Sequence, residues 1–313
     1  ARLMICTLVA FPVIALGLAG SRGIALGAAF AAAGPGYLSL TGGKTGGAAA
    51  ILVLSGLSWA LGYTGQPQLL TRMMAIRSEA DVKRAVRVAT VWTLFAYAGA
   101  IAIGMIGVAF VRSGLVGGGV EKLSDAEKIL PAMVHTLVNP ILAGVLLSGV
   151  ISAMMSTASS EVTVSSASFS EDVFAMLRKK AATPKGMLVV NQVATLVVGA
   201  VAIVLALTMR DTVYSLVSYA WSGIGSSFGP ALMLLLFWKR FSRAGVFASL
   251  VTGTVATVVW KNLFEQPTGV SERLASYVVA FAMAVLFSLL FPEKAPAGAK
   301  DSADRLTPTR PVS

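Results

Sequence analysis

The chain has 313 residues, of which 56% are hydrophobic and 12% are charged, and its formal net charge is +11. Soluble domains carry about a quarter charged residues, so this composition excludes an ordinary soluble protein and indicates a polytopic membrane protein. The basic residues lie in short loops between apolar segments, where they set membrane topology rather than indicate nucleic-acid binding. A single cysteine and a single histidine exclude an internal disulfide and a histidine-clustered metal centre.

About eight apolar segments are predicted to span the membrane, although the first is short for a complete span. We place them at residues 3–20, 49–71, 88–111, 141–168, 187–208, 213–237, 245–261 and 274–291. The loops after the second, fourth and sixth segments, with the C-terminal tail, hold about twice as many Lys and Arg residues as the opposite loops. Arg273 is assigned to one of the opposite loops. Because basic loops stay in the cytoplasm, we expect a cytoplasmic C-terminus.

Two parts of the chain differ in composition. Residues 1–291 form the transmembrane domain, and residues 292–313 form a polar tail that we expect to be disordered in the cytoplasm. The chain starts in an apolar run with neither a Met nor a signal-peptide pattern, so we expect it to begin in mid-protein. In the loop before the fourth segment, the Ser124-Asp-Ala-Glu capping box predicts a short amphipathic helix through Leu137, lying on the outer surface.

The second segment combines aromatic, Gly and Pro residues. Trp59, Tyr63 and Pro67 recur every four residues and so share one helix face, with two Gly residues between them. One interpretation is structural, because Gly and Pro are common in membrane helices and an aromatic ring can fill a gap. The other is a locally opened helix that lines a cavity, where the Tyr hydroxyl and Gln66 face a polar solute.

The most prominent pattern is a ladder of hydroxyls in the fourth segment. Ser148, Ser152, Ser156 and Ser160 recur every four residues and so line one face of a helix. Such hydroxyls usually bond back to the carbonyl four residues earlier and allow close helix packing. Alternatively, Ser156 and the adjacent Thr157 offer oxygens to a hard monovalent cation at the middle of the membrane.

The same segment also contains an acidic residue, Glu161. An ionisable group inside a membrane span is a functional candidate by default. Glu161 and its neighbour Ser160 are therefore candidates for an ion path or for ion coupling. The alternative is a hydrated carboxylate near the cytoplasmic end of the helix.

The sixth segment is polar in its first half and apolar in its second. Between Ser218 and Pro230 it contains Tyr and Trp residues, several Ser residues, and glycines at 223, 225 and 229. These glycines allow close contact between helices. A polar half joined to an apolar half through Gly-Pro is also typical of a discontinuous or flexing transport helix.

No motif of an enzyme is present in the sequence. The single histidine offers no Ser/His/Asp order, and neither a Walker A loop nor an HExxH motif occurs. The pattern of small residues and hydroxyls is instead typical of a passage for solutes. We therefore predict that the protein is a transporter and not an enzyme, with a passive channel as one alternative.

Four separated motifs resemble the sodium/solute symporter family, with the closest likeness to its sodium/proline branch. They are Leu57-Ser-Trp-Ala-Leu-Gly-Tyr-Thr-Gly-Gln-Pro-Gln, Met74-Ala-Ile-Arg-Ser, Met155-Ser-Thr, and Val217-Ser-Tyr-Ala-Trp-Ser-Gly with Phe228-Gly-Pro downstream. The likeness extends to about residue 291. It implies an all-α polytopic protein containing part of a LeuT-like inverted-repeat transporter core, truncated at its N-terminus so that half of each site is missing.

The resemblance also implies sites and a function. The Ala153 carbonyl, Ser156 and Thr157 match the family's sodium ligands, and Trp59, Tyr63 and Pro67 match positions of its proline site and gate. The implied function is the uptake of L-proline with sodium across the bacterial inner membrane. Alternatives are a symporter for another small solute, such as a different amino acid or carboxylate, and the membrane sensor domain of a kinase-type protein.

Two departures from the family pattern affect these expectations. Glu161 replaces a residue that is usually neutral, which could alter ion coupling. Ser226 and Ser227 add polarity to a Gly-rich motif, which leaves the sodium site unaffected and bears on the identity of the solute.

Overall fold

The computed structural model describes residues 2–34, 36–117, 125–177, 184–209 and 211–293, and all the regular secondary structure in these ranges is helical. The main helices are α1 (Phe11–Ser21), α2 (Leu26–Ala32), α3 (Gly46–Leu57), α4 (Trp59–Tyr63), α5 (Pro67–Met74), α6 (Glu79–Arg112), α7 (Ile129–Leu137), α8 (Pro140–Ala167), α9 (Pro184–Thr208), α10 (Val213–Phe237), α11 (Arg243–Val259) and α12 (Glu272–Leu290). Short helical segments extend several of them, at Arg2–Ile5, Cys6–Ala10, Ala126–Lys128, Ser168–Phe174, Ala175–Leu177, Trp260–Phe264 and Glu265–Thr268.

Seven helical stretches among the described residues are long and apolar enough to cross a membrane. They are Gly46–Tyr63, Glu79–Arg112, Pro140–Phe174, Lys185–Thr208, Val213–Phe237, Arg243–Thr268 and Glu272–Leu290. A bent pair, Thr7–Ser21 with Leu26–Ala32, counts as an eighth if it forms one span, and its two helices meet at 99°. Each predicted segment overlaps one of these stretches or the bent pair, so the prediction of a polytopic all-α protein is confirmed. The second segment, predicted to continue to residue 71, ends at Tyr63. The predicted tail lies outside the described residues from 294 onward.

The described residues form two compact units. The first consists of Ala1–Ala49 and Pro67–Leu216, and the second of Ala50–Gln66 and the chain from Val217 onward. The boundary at residues 66 and 67 coincides with a break in the predicted second span, and the boundary at residue 217 falls inside α10. The candidate residues are therefore divided between the two units, and each unit is described separately below.

The core of the first unit forms between α1, α6 and α7. Phe11, Phe110, Met133 and Val134 are fully buried in one apolar cluster. The short amphipathic helix predicted through Leu137 is present as α7, and its apolar face packs into this cluster. Asp125 caps the turn before it by accepting a hydrogen bond from the Glu127 amide, while the predicted cap Ser124 lies outside the described residues.

In the second unit α10, α11 and α12 pack through small side chains. Ala280 and Ala284 are fully buried, and a Cβ built on Gly253 would lie 2.5 Å from the Ser226 carbonyl oxygen. Small residues at such interfaces allow two helix backbones to approach closely, which is the usual packing mode in membranes. The glycine and serine content of these segments therefore has a direct structural role.

The two prolines that were predicted to interrupt spans behave differently. The second span stops at Tyr63 and the chain resumes as a helix at Pro67, because proline lacks an amide hydrogen and its ring clashes with the carbonyl four residues earlier. The break predicted there is present, whereas the cavity that it was predicted to line stays a prediction. At Pro230 the helix α10 continues without a break, so the discontinuous alternative for this segment is wrong. The carbonyl that Pro230 cannot bond is that of Ser226, four residues earlier, whereas the Ser249 hydroxyl donates to the adjacent Ser227 carbonyl.

Candidate functional site

Two of the four ladder serines of α8, and Thr157 beside them, donate to carbonyls of their own helix. Thr157 donates to the Ala153 carbonyl at 3.1 Å, and Ser160 donates to the Ser156 carbonyl at 3.0 Å. Ser148 donates to the Val145 carbonyl at 2.7 Å. Back-bonding, the first interpretation of the ladder, is therefore confirmed for these hydroxyls. It does not exclude the second, because a hydroxyl that donates to a carbonyl keeps lone pairs that can face a cation.

The three predicted sodium ligands lie on one face of α8. Ala153, Ser156 and Thr157 are separated by three and four positions, which places them next to each other on a helix. Ser156 and Thr157 are exposed, and Ala153 is half-buried. The Ala153 and Thr157 oxygens lie 3.1 Å apart because the hydroxyl donates to the carbonyl, as the Ser160 hydroxyl does to the Ser156 carbonyl.

Ser160 connects α8 with another helix of the same unit. Its hydroxyl accepts a hydrogen bond from Arg72 Nη2 at 2.8 Å, and Arg72 lies in the last turn of α5. Glu161 is half-buried, and no ion pair of its carboxylate is found among the described residues. The guanidinium therefore reaches the ladder at the serine and not at the acid.

In the second unit the predicted aromatic residues gather around a tryptophan that the sequence analysis left outside the site. The Tyr63 and Trp221 rings meet edge to face with centroids 4.8 Å apart, and the Trp59 and Trp221 rings lie 6.1 Å apart. Trp221 Nε1 donates to the Trp59 carbonyl at 3.3 Å. Gly62 provides the space, since a Cβ there would collide with the Trp221 indole. We call Trp59, Tyr63 and Trp221 the aromatic cluster.

The polar residues at the helix break take different positions from those expected. Gln66 is 2% exposed, and its Nε2 donates to the Trp221 carbonyl at 3.4 Å. The side chain predicted to face a solute is thus buried against the aromatic cluster. Pro67 is half-buried and begins α5 in the first unit. The helix break therefore presents a group of aromatic rings, and the buried Gln66 side chain is hydrogen-bonded beside them.

Sequence reasoning missed a buried ion pair beside the aromatic cluster. Arg273 was assigned to a loop, but it lies in the first turn of α12 with 7% of its surface exposed, next to the fully buried Glu272. The guanidinium carbon lies 4.6 Å from the centre of the Trp59 ring. Ser218 donates to Glu272 Oε1 at 2.5 Å and accepts a hydrogen bond from Arg273 Nη1. The assignment was wrong because burial of a charge depends on partners from other helices.

A signal for this region was present in the sequence. Ser218, Ser222 and Ser226 recur every four residues, as the serines of α8 do, and all three are buried. The Ser222 hydroxyl lies 3.2 Å from that of Thr257 and 3.1 Å from that of Ser276. A second four-residue ladder therefore exists in α10, and it joins three helices.

Comparison with known proteins identifies the family. The model of the sodium:solute symporter family matches residues 1–253. The chain belongs to this family. It is 36% identical over 250 residues to the sodium/proline symporter of Escherichia coli, which covers 80% of this chain and 49% of that protein. It is 36% identical over 241 residues to the high-affinity proline transporter PutP of Bacillus subtilis, covering 77% and 49%.

The osmoregulated proline transporter OpuE of Bacillus subtilis is 32% identical over 245 residues, covering 78% of this chain and 49% of that protein. The chain spans about half the length of these relatives and matches their C-terminal part. Membership of the symporter family confirms the resemblance drawn from the motifs. The relatives are transporters by name, in agreement with the prediction that the protein is not an enzyme. The LeuT-like arrangement and the roles of the site residues stay predictions.

Proposed function

We propose that the full-length protein takes up L-proline together with sodium across the bacterial inner membrane, with its C-terminus in the cytoplasm. The observation that carries the proposal is that Ala153, Ser156 and Thr157 share one face of α8, with the Ser156 and Thr157 side chains exposed. Family membership and the names of the relatives support sodium as the coupling ion and proline as the solute.

The proposed mechanism is thermodynamic coupling between the two ligands. Sodium at Ser156 and Thr157 stabilises an outward-open state that binds the solute, and each ligand raises the affinity of the other by the same factor. The aromatic cluster contributes to the solute site. A proline ring stacks on an aromatic face, and its positively charged amine is attracted to the π electrons. Alternating access then releases both ligands into the cytoplasm.

The proposal is tested by uptake of radiolabelled proline into proteoliposomes that contain the full-length protein. Uptake is measured with and without an inward sodium gradient, and unlabelled solutes serve as competitors. Accumulation of proline that requires the gradient is expected. Sodium-driven uptake of a different solute would contradict proline as the substrate, and flux that does not depend on sodium would contradict coupling and indicate a passive channel.

The sodium site is tested by Thr157→Ala. Loss of one ligand to a charged group costs about 1.5–3 kcal/mol, so the sodium concentration for half-maximal uptake should rise about tenfold or more. The KM for proline at saturating sodium should change much less. Thr163→Ala is the matched control, because Thr163 makes the same back-bond, to the Ser159 carbonyl at 2.7 Å, in the same helix. Equal effects of the two substitutions would contradict the assignment of sodium to Thr157.

A further inference from the structure

The position of Arg273 is unfavourable on two counts. It lies in the first turn of α12, where the helix dipole repels a positive charge, and it is almost completely buried. A buried guanidinium must be paired and hydrogen-bonded to be tolerated. Its contacts therefore indicate what holds the side chain in this place.

Only part of the guanidinium is engaged in hydrogen bonds. Arg273 Nη1 contacts Glu272 Oε1 at 3.3 Å and donates to Ser218, whereas no hydrogen-bond partner of Nε is found among the described residues. The remaining contact is with an aromatic face, the Trp59 ring, at 4.6 Å. A desolvated cation at this distance from an indole is in the range of a strong cation–π interaction.

The arrangement restrains Trp59 from two directions. The backbone carbonyl of Trp59 accepts a hydrogen bond from Trp221, and its ring lies under the guanidinium. Because Glu272 already neutralises Arg273, the guanidinium is a poor receptor for the carboxylate of a solute. The guanidinium can, however, fix the orientation of the Trp59 ring through the cation–π contact.

We propose that Arg273 is a positioning residue for the solute site, which holds the Trp59 indole through its guanidinium while Glu272 and Ser218 hold the guanidinium. The inference rests on the proposed function, since it assumes that Trp59 contacts the solute. Arg273 itself does not contact the solute. Its effect on solute affinity is transmitted by the ring, and the family match at residues 1–253 does not include it.

The first test observes the ring directly, in the full-length protein labelled with 5-fluorotryptophan. The ¹⁹F resonance of Trp59 is assigned with Trp59→Phe. Arg273→Gln should shift and broaden this resonance. Arg243→Gln is the matched control, because it removes an arginine from an exposed ion pair, with Glu293, in the same unit. An unmoved Trp59 resonance in Arg273→Gln overturns the inference, whether or not the protein transports proline.

The second test is a double-mutant cycle on the KM for proline. Arg273→Gln alone should raise KM about fivefold with little change in the maximal rate. In a Trp59→Leu background, the same substitution should leave KM unchanged, because the ring through which it acts is gone. Additive effects, or a KM that does not respond to Arg273→Gln, overturn the inference.

Loss of the arginine leaves Glu272 buried without its partner, so folding needs its own control. The double variant Glu272→Gln, Arg273→Gln removes one negative and one positive charge, so the net charge is unchanged and no unpaired charge is buried. It should reproduce both the ¹⁹F shift and the fivefold rise in KM. If the unaltered protein fails to accumulate proline, the proposed function fails, and the ¹⁹F measurement still decides whether Arg273 positions Trp59.

Discussion

Helices α8 and α10 carry the same serine repeat and use it in opposite ways. In α8 the hydroxyls of Thr157 and Ser160 are exposed and donate to carbonyls of the same helix. The N-terminus of α8 is capped by the adjacent Asn139, whose side chain accepts a hydrogen bond from the Leu142 amide at 2.9 Å. In α10 the serines are buried and bond to α11 and α12. The N-terminus of α10 is bound by Glu127, 86 residues earlier in the chain, whose carboxylate accepts from the Val213 and Tyr214 amides.

The difference shows when a hydroxyl ladder can serve a ligand. A serine or threonine in a helix can return its hydrogen to a carbonyl one turn earlier, and it bonds to another helix where small residues bring that helix close or where a long side chain reaches it. The Thr157 hydroxyl, which bonds within α8, can therefore face a cation without loss of a hydrogen bond to another helix, whereas Ser160 is bound by Arg72 of α5. The hydroxyls of α10 cannot do so without separating helices, and we assign them to assembly.

The largest effect is expected from crowding the interface of α10. A Cβ on Gly225 would lie 2.5 Å from the Gly62 Cα, a backbone atom that cannot move away without shifting a helix. Gly225→Ala should lower the free energy of unfolding by about 2–3 kcal/mol. Gly144→Ala in α8 is the matched control, because nothing lies within 4 Å of its Cβ position. Unfolding of the full-length protein in mixed micelles, followed by circular dichroism, measures both, and equal stability of the two variants would contradict the comparison.

A smaller effect is expected from removing one buried hydroxyl. Ser222→Ala breaks bonds to Thr257 and Ser276, and should cost about 1 kcal/mol of unfolding free energy. Ser148→Ala removes only a local bond to the Val145 carbonyl and should change the stability by less than about 0.5 kcal/mol. The same unfolding measurement compares them. A greater loss of unfolding free energy in Ser148→Ala than in Ser222→Ala would contradict the assignment of the α10 ladder to helix assembly.

The smallest effect is expected at the N-terminus of α10. Glu127→Gln keeps an acceptor for the amides but removes the negative charge that favours a helix N-terminus, so it should cost about 0.5 kcal/mol. Because salt screens this exposed charge, the difference from the unaltered protein should diminish between about 0.05 and 1 M salt. A difference that is independent of salt would show that the charge on Glu127 is not what stabilises the helix.

Much of the fold was predictable because it depends on local properties. Long apolar runs predict spans wherever they occur, and the coincidence of a proline with two glycines predicted the helix break before Pro67. At Pro230 the same reasoning failed, since α10 continues there as one helix. The position of Arg273 was missed because Ser218 and Trp59, which contact it, are distant from it along the chain.

In the candidate site, too, local geometry was predictable and contacts between distant residues were not. The oxygens of Ala153 and Thr157 were predictable as neighbours, since a helix places residues four apart on one face. The sequence by itself thus determined the class of the protein, its spans, its family motifs and the local geometry of α8. Only the tertiary structure decided that Trp221 joins Trp59 and Tyr63, that Gln66 is buried, and that Glu272 and Arg273 lie beside the aromatic cluster. The physical reason is that a side chain's burial and its partners depend on which helices approach it, and no local pattern contains that information.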